Sequence, residues 1–437
     1  MNHRHKVGGR ASERPVQKQL AIRLLQSLAD ARENDRQSEM TLAEAAMLDA
    51  VAARATDIHL DAFAGRYRMR LRIDGVIVDA AEIDQEDGAQ LVNQFRALAR
   101  IDPVASHGPD DGRFTYALDD LILDVRVTGA PCIAGEKLAI RLLVPERVHQ
   151  DVDELGLDER ELQYLQAWLQ GIGGMLLVAG PTGSGKTTTL YSLLHQLAMT
   201  EHQVVTLEDP IEYEISGINQ MAVDPPRGWD FAQGAQAMLR LDPDYLVIGE
   251  LTQSESARAA ANAASGGKAT MATIHSRDAT DTVTVLRNYG LDDFEVAANL
   301  QIVVAQRLVR RLCRACREQV QPQERDRRWM TALGFSVPEQ VWAPVGCKHC
   351  QNMGFMGRVG VFEVWRPDDE EYNMILEHRG AHDIRRRLAE RDHRFLLDDG
   401  LKKAENGLTS LSELRSLGAL SASAARGQAS LVACTAE

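Results

Sequence analysis

The sequence predicts an α/β protein whose main domain is a parallel sheet with helices on both faces. Short apolar runs alternate with helical segments between residues 161 and 310, the pattern of strands joined by crossover helices. Residues 41–145 show a strand-rich pattern that predicts a small α+β domain. Residues 311–415 contain two paired cysteine spacings and then mostly helical pattern, and residues 416–437, rich in Ala and Ser, predict a disordered tail.

The composition is that of a large globular protein. The chain has 437 residues, of which 44% are hydrophobic and 26% are charged. Its 49 Lys and Arg against 63 Asp and Glu give a net charge of −14, which argues against stable nucleic-acid binding, since contacts to phosphates require a basic surface. No apolar run approaches the ~18 residues of a membrane span, and no signal peptide is visible. We therefore expect a cytoplasmic protein that reaches a membrane only through partners.

The N-terminal part divides into an arm, a domain and a linker. Residues 1–40 are polar and predict a mobile arm with one short helical pattern at 16–30. In residues 66–79, apolar side chains alternate with arginines before the dipeptide Asp74-Gly75, which predicts a β-hairpin. Residues 146–160 are charged and poor in apolar side chains, which predicts a linker.

Residues 180–187, GPTGSGKT, match the phosphate-binding loop G-x-x-x-x-G-K-[ST] in full. An apolar strand pattern precedes the motif and a helical pattern follows it, as a phosphate loop requires. We expect eight residues to bind ATP: Gly180, Pro181, Thr182, Gly183, Ser184, Gly185, Lys186 and Thr187. Lys186 is expected to reach the β- and γ-phosphates, and Thr187 to hold Mg²⁺ through its hydroxyl.

Polar residues end three of the predicted strands, where ligands of open α/β sheets bind. Glu208 ends the run VVTLE, with Glu212 close behind it, and Glu250 ends DYLVIGE. Either strand end could supply the carboxylate that hydrolysis requires, and Glu250 is the better placed. His275 follows the run ATMATI. By spacing alone, Glu208 and Glu212 are also explained as helix-start carboxylates and His275 as a structural histidine.

Four of the six cysteines form two CxxC pairs, Cys313/Cys316 and Cys347/Cys350, with 30 residues between the pairs. Each pair can deliver two thiolates to one side of a tetrahedral Zn²⁺ ion, and four protein ligands leave no open position for catalysis. The pattern therefore predicts a structural zinc site. His349, inside the second pair, is a competing ligand, and four unrelated thiols are the other alternative.

These motifs, in this order, resemble the secretion-ATPase superfamily, in particular the assembly ATPases of type II secretion and type IV pili. GPTGSGKTTTLY, TLEDPIEY, LRLDPDYLVIGE and ATIHSRDA are similar to that family's Walker A segment, Asp box, Walker B segment and His box. AQRLVRRLCRAC and GCKHCQNMGFMGRVGVFEV resemble its zinc subdomain. ATDIHLD, RLRIDG, DDGRF and GEKLAIRLL resemble its N-terminal sensor-like domain, so the likeness covers residues 41–415.

The resemblance implies a RecA-like P-loop ATPase core, an N-terminal PAS-like domain and a four-cysteine zinc subdomain. It implies a homo-hexamer at the cytoplasmic face of an inner-membrane platform protein, where ATP hydrolysis with Mg²⁺ powers assembly of a type IV pilus or a type II secretion pseudopilus. Catalytic roles are expected for Lys186, Glu208, Glu250 and His275.

Three arginines of the N-terminal domain are further candidates: Arg113, Arg126 and Arg141. Arg126 and Arg141 interrupt apolar strand patterns, and a buried lone guanidinium is costly, so each is expected to be paired or to face a cleft. The acids that could pair with them are Asp110, Asp111, Asp124 and Glu136. The resemblance implies instead that the arginines approach the nucleotide phosphates.

Three segments depart from the family pattern. Leu251-Thr252-Gln253 stands where relatives have Ile-Arg-Asp, Gly266-Gly267-Lys268 where they have Thr-Gly-His, and Pro109-Asp110-Asp111-Gly112 where they have Pro-Gln-Asp-Gly. These departures leave open a nucleotide-binding scaffold of the same machinery that hydrolyses ATP weakly. A DNA-translocating relative is a third hypothesis, which the net charge of −14 disfavours.

Overall fold

The computed structural model describes residues 20–33, 40–102, 108–118, 121–143, 151–171, 173–224, 227–391 and 393–417. The chain divides into two compact units, residues 1–147 and 148–437. The remainder of the predicted arm, the first residues of the predicted linker and the predicted tail beyond residue 417 lie outside the described residues.

The first unit is a six-stranded antiparallel sheet with helices packed on it. The helices are α1 (Ile22–Glu33), α2 (Leu42–Ala52) and α3 (Gln85–Leu98). The strands are β1 (Ala55–Phe63), β2 (Arg66–Ile73), β3 (Val76–Asp84), β4 (Asp110–Leu118), β5 (Leu121–Cys132) and β6 (Gly135–Leu143), in the order β3-β2-β1-β6-β5-β4. The predicted hairpin is present, because Asp74 and Gly75 form the turn between β2 and β3 and both have a positive φ.

Helix α1 packs on α2, which differs from the expectation of a mobile arm. Leu24 is fully buried, and its N–H donates to Asp49 Oδ2 at 3.0 Å. Arg23 pairs with the same carboxylate at 3.2 Å. Leu20, Leu24 and Leu28 therefore belong to the core of the first unit.

The second unit is built on a seven-stranded sheet in the order β15-β12-β7-β11-β10-β8-β9. Its strands are β7 (Gly174–Ala179), β8 (Val204–Glu208), β9 (Asn219–Ala222), β10 (Tyr245–Leu251), β11 (Ala269–Ile274), β12 (Leu300–Leu312) and β15 (Phe355–Trp365). All neighbouring pairs are parallel except β12 and β15. A separate antiparallel ribbon joins β13 (Glu318–Val320) to β14 (Val341–Ala343).

Helices cover both faces of this sheet. They are α4 (Glu159–Trp168), α5 (Lys186–Ala198), α6 (Phe231–Met238), α7 (Ser254–Ser265), α8 (Asp281–Asn288), α9 (Asp293–Asn299), α10 (Glu324–Ala332), α11 (Asp369–Leu376), α12 (Ala381–Glu390), α13 (Leu396–Glu405) and α14 (Leu411–Ser416). Met175 and Leu177 of β7 pack in one hydrophobic cluster with α7, whereas Leu176 and Val178 pack in another with α4 and α5. Alternate residues of one strand thus lie in two cores, and the predicted α/β fold class is confirmed.

The C-terminal region contributes to the main sheet. The predicted domain boundary at residue 310 falls inside β12, and β15 pairs with β12 from Val303–Trp365 to Leu312–Phe355. The cysteine-containing segment is therefore an excursion between two strands of the same sheet. Among the described residues, no helix is long and apolar enough to cross a membrane.

Candidate nucleotide and metal sites

The phosphate loop connects β7 to α5 at the carboxyl edge of the parallel sheet. A Cβ at Gly180 would lie 2.5 Å from Ser184 Oγ, and Gly185 has a φ of +92°, so both positions require glycine. The loop opens into a cleft of about 710 Å³. This cleft is also lined by Glu208, Glu212, Glu250 and His275, so the structure brings the predicted strand-end residues together with Lys186 and Thr187.

His275 connects Glu250 to Lys186 at the floor of the cleft. Its Nε2 pairs with the Glu250 carboxylate, and its Nδ1 lies 3.5 Å from Lys186 Nζ. The ammonium donates to the carbonyl oxygens of Gly180 at 2.9 Å and Pro181 at 3.3 Å. Burial lowers the pKa of Lys186, and the Glu250 charge opposes this shift. A phosphate in the cleft would offer Lys186 a charged acceptor in place of these carbonyls.

Glu208 is held by hydrogen bonds from its own unit. Its side chain is 3% exposed and accepts from the Thr206 hydroxyl at 2.6 Å and from Gln220 Nε2 at 3.1 Å. The Tyr191 hydroxyl on α5 also donates to it, and the backbone N–H of Glu212 donates to Tyr191 at 3.0 Å. A catalytic role for Glu208 would require it to exchange at least one of these partners.

Two residues of the site have no counterpart in the sequence predictions. Gln306 on β12 is 2% exposed, accepts from the Thr189 hydroxyl at 2.8 Å and donates to the Ser184 carbonyl at 2.9 Å. It therefore supports the phosphate loop from the neighbouring strand. Tyr191 is the second, since it joins α5 to Glu208, and burial followed by the Glu208 charge raises its pKa. A glutamine directly after the apolar run IVVA of β12 was a usable signal for Gln306, since a buried amide needs hydrogen-bond partners.

The departures from the family pattern lie in different places. Thr252 and Gln253 line the nucleotide cleft. Lys268 precedes β11 and its ammonium lies 3.0 Å from Asp242 Oδ1, at the amino end of the strand whose carboxyl end carries His275. The change at Lys268 is thus remote from the cleft, whereas the changes at Thr252 and Gln253 are not.

The three arginines lie side by side in the first unit. Arg113, Arg126 and Arg141 are direct cross-strand neighbours on β4, β5 and β6. Arg113 pairs with Asp124 through Nε at 2.9 Å, one of the predicted alternatives, and Arg141 Nε lies 3.3 Å from Asp57 Oδ1, which was not among them. Arg113 and Arg141 remain 53% and 66% exposed.

The four cysteines converge as a tetrahedral ligand set. Their Sγ atoms lie within 4.8 Å of one another, with Cys313–Cys347 at 4.0 Å and both Cys316–Cys350 and Cys347–Cys350 at 3.8 Å. Zn–S bonds of ~2.3 Å place the corners of a tetrahedron about 3.8 Å apart, so the spacing fits zinc. The β13–β14 ribbon brings the two pairs together across the intervening residues.

Backbone groups complete the environment of the sulfurs. The N–H of Gly346 donates to Cys316 Sγ at 3.3 Å, and the N–H groups of Cys347 and Gly354 donate to Cys350 Sγ at 3.2 Å. Such donors stabilise thiolates that bind a metal. Among the described residues, this metal-ligating group contains the cysteines and not His349.

Comparison with known sequences identifies several similar proteins. A sequence model described as "Type II/IV secretion system protein" matches residues 32–416. The chain is 36% identical over 375 residues to the type IV pilus assembly ATPase PilB of Acinetobacter baylyi, covering 84% of this chain and 64% of the relative. It therefore spans less than two thirds of that relative's length. It is 34% identical over 373 residues to the type II secretion system ATPase E of Vibrio cholerae, covering 85% of this chain and 74% of that one.

Solved structures show the same fold at low sequence identity. The ATPase DotB of Legionella pneumophila superposes with a TM-score of 0.62 at 18% identity, covering 85% of this chain and 93% of its own. The pilus retraction motor PilT, solved with bound ADP, superposes with a TM-score of 0.58 at 22% identity, covering 87% and 98%. At these identities the likeness concerns the fold alone.

Proposed function

This chain belongs to the type II/IV secretion system protein family, and we propose that it is an ATPase that powers the assembly of a type IV pilus or a type II secretion pseudopilus. The observation that carries the proposal is the contact of His275 with both Glu250 and Lys186 beside a complete phosphate loop. Relatives named as pilus assembly and secretion ATPases support the same assignment.

The proposed hydrolysis assigns each residue one task. Backbone N–H groups of residues 182–187 bind the phosphates, Lys186 neutralises the β- and γ-phosphate oxygens, and Thr187 would hold Mg²⁺. When bound, Mg²⁺ would supply positive charge that neutralises phosphate oxygens during transfer. Glu250 orients a water and accepts its proton as the water oxygen bonds to the γ-phosphorus and the bond to the β–γ bridging oxygen breaks. His275 keeps Glu250 in place and faces the same phosphate.

Glu208 and the three arginines are assigned supporting roles. Glu208 is proposed as the acidic residue of the Mg²⁺ site, a role that requires it to exchange its hydrogen bond with Tyr191 or Gln220. Arg113, Arg126 and Arg141 are proposed to contact the nucleotide phosphates, for which a guanidinium fork offers bidentate hydrogen bonds. The exposure of Arg113 and Arg141 in the first unit is compatible with that role.

The four cysteines are proposed to bind one structural Zn²⁺. Cys313, Cys316, Cys347 and Cys350 would be its ligands, and no open coordination position would remain for chemistry. The ion would hold the excursion between β12 and β15 in shape.

The assembly context is proposed from the relatives. A homo-hexamer that binds a platform protein at the cytoplasmic face of the inner membrane would couple ATP turnover to pilin or pseudopilin assembly. Turnover that rises more steeply than linearly with protein concentration would support the ring, since the working site would need the assembled subunits.

A second candidate function is a scaffold that binds ATP but hydrolyses it poorly. It is favoured by Thr252 and Gln253, which line the cleft and differ from the family pattern. The intact Lys186, Thr187 and Glu250 favour the motor instead. Steady-state ATP hydrolysis by concentrated full-length protein separates the two, because only the motor should turn over and lose turnover in Glu250→Gln. Turnover stimulated by DNA at physiological salt would revive the DNA-translocating hypothesis.

A further inference from the structure

A buried ion cluster lies behind the loop that carries His275. Asp278 lies three residues after His275, and Arg385 Nη1 on α12 lies 3.0 Å from Asp278 Oδ2, across 107 residues of sequence. The two side chains are only 11% and 13% exposed. Glu363 on β15 is fully buried and lies 4.0 Å from the same guanidinium. The loop after β11 is thus attached to the C-terminal helices.

The Asp278 carboxylate organises this loop with its other oxygen. Oδ1 accepts from the Thr280 hydroxyl at 2.9 Å and from the Asp281 N–H at 2.8 Å, at the start of α8. The Asp278 carbonyl accepts from the Ser276 hydroxyl at 3.0 Å. One carboxylate oxygen therefore accepts the hydrogen bonds that order the loop, and the other is bound by Arg385. A shift of Arg385 would move Asp278 and with it the backbone from Ser276 to the start of α8.

Arg385 is itself held in one position. Its guanidinium lies 4.3 Å from the centre of the Phe395 ring, between Asp278 and Glu363. The backbone N–H of Leu396 donates to Glu363 at 3.3 Å, which fixes the second acid relative to α13. A planar guanidinium can satisfy this arrangement of ring and carboxylates, whereas an ammonium matches its charge but not its plane.

We infer that Arg385 is a positioning residue of the nucleotide site: it holds the loop of residues 275–280 so that His275 stays in contact with Glu250 and Lys186. Displacement of α12 then reaches the hydrolytic residues through Asp278. The inference rests on the proposed function in so far as His275 and Glu250 serve hydrolysis. A buried pair that only stabilised the fold would leave the loop and the rate of turnover unaffected in any variant that stays folded.

The test compares Arg385→Ala with Arg386→Ala in the full-length chain. Arg386 is on the same helix but is 59% exposed and pairs with Asp383 of that helix, which makes it a matched control. In Arg385→Ala, amide hydrogen exchange of residues 276–281 should rise at least ~10-fold. The kcat for ATP should fall ~10- to 100-fold, the range expected when catalytic groups move by about 1 Å. KM should stay within about twofold, because the carbonyl oxygens of Gly180 and Pro181 hold Lys186 in the phosphate loop even when its contact with His275 is lost.

Further variants keep the inference falsifiable if Arg385→Ala does not fold. Asp278→Asn keeps an acceptor for the Thr280 and Asp281 donors but removes the attraction for Arg385, so it should reproduce both effects. Arg385→Lys should recover them only in part. Unchanged exchange in folded Arg385→Ala or Asp278→Asn overturns the inference, as does raised exchange with unchanged kcat. Wild-type protein that does not hydrolyse ATP contradicts the proposed function instead, whatever the exchange of this loop.

Discussion

Arg126 on β5 lies directly opposite Arg141 on β6, and on its other side it lies opposite Arg113 on β4. The row continues beyond Arg141 to Asp57 on β1 and Arg72 on β2. Residues directly opposite one another on antiparallel strands project from the same face, and like charges in such positions are unfavourable. Arg113 and Arg141 pair with Asp124 and Asp57 in this structure, so an anion with several oxygens, such as a phosphate chain, would bind the three arginines in exchange for these carboxylates.

The arginine row predicts that turnover depends on the first unit. Arg126→Ala should leave this unit folded, since the side chain is only half-buried, and should lower kcat at least ~10-fold, because arginines in phosphoryl-transfer sites contribute ~10³–10⁵. Arg113→Ala and Arg141→Ala should act in the same direction, and lysine replacements should rescue only in part. Steady-state ATP hydrolysis measures the effect, and circular dichroism measures folding.

Arg66→Ala is the control for this prediction. Arg66 also lies on β2, is 67% exposed and has its nearest carboxylate, Glu82, at 3.8 Å. It should therefore keep wild-type turnover. If all three alanine variants of the row turned over like the wild type, the first unit would be a docking module and the proposed phosphate contacts would be wrong.

The nucleotide cleft predicts that binding and hydrolysis can be separated. Glu250→Gln should still bind ATP, because the side chain keeps its shape, but should lose ~10²–10⁴-fold in kcat, the contribution of a general base. Lys186→Ala should lose both functions, since the γ-phosphate loses its lysine. Glu255→Gln, an exposed carboxylate at the start of the next helix, is the control and should behave like the wild type. Wild-type turnover in Glu250→Gln would refute the assignment of the base.

What the sequence could predict was the part of the site written in consecutive residues. The phosphate loop, the strand-end acids and the CxxC pairs each occupy a short segment, so their chemistry could be inferred without knowledge of the fold. Gln306, which supports the loop from β12, depends on strand order, because β12 lies beside β7 only in the folded sheet. The contact of Arg385 with Asp278 spans 107 residues, and no local pattern encodes it.

In the fold, too, the elements encoded by local patterns were predicted, and those that depend on contacts distant in sequence were not. The hairpin at Asp74-Gly75 and the four core strands were predicted from turn residues and apolar runs, which act locally. The position of β15 in the sheet was not predicted. β15 follows the cysteine-containing segment, and its place at the sheet edge is determined by antiparallel pairing with β12. The docking of α1 was missed for a similar reason, since it depends on the contacts of Leu24 and Arg23 with Asp49.

The cysteine cluster predicts one Zn²⁺ per chain that serves folding. Cys316→Ser should lower the zinc content and destabilise residues 311–360 before the nucleotide site, because structural zinc contributes directly to folding free energy. Elemental analysis measures the metal, and limited proteolysis locates the lesion. Cys132→Ser is the control, because Cys132 is exposed and outside the cluster. Protein purified without chelator that contained no zinc would contradict the prediction.

The pKa values of Glu363 and His393, which lie in the cluster around Arg385, are shifted in opposite directions. Burial raises the pKa of Glu363 from 4.5 to about 7, although the Arg385 charge opposes the shift. Burial lowers the pKa of His393 from 6.5 to about 4, and the charges of Arg385, Arg160 and Arg391 add to the shift. His393 Nε2 lies 3.9 Å from Glu363 Oε1. The two groups therefore gain or lose protons in the same buried region.

The two shifts have opposite effects on stability. As the pH rises from 4.5 to about 7, the unfolded chain releases the Glu363 proton before the folded chain does, so this group lowers the free energy of unfolding. As the pH rises from about 4 to 6.5, the unfolded chain holds the His393 proton that the folded chain lacks, so this group raises it. Each effect amounts to about 3 kcal/mol, so the two contributions to the free energy of unfolding nearly cancel in the pH range that they share.

Removing one member of this pair should expose the pH dependence of the other. Relative to wild type, Glu363→Gln should gain about 3 kcal/mol of unfolding free energy between pH 4.5 and 6.5, because only the rising contribution of His393 remains. His393→Asn should lose a similar amount over the same interval. Urea unfolding of the full-length chain at the two pH values measures both, and subtraction of the wild type removes titrations common to all variants. Glu377→Gln, at a 61% exposed carboxylate, should show no difference from wild type. Parallel pH profiles for Glu363→Gln and wild type would show that Glu363 is ionised in the folded protein throughout this range.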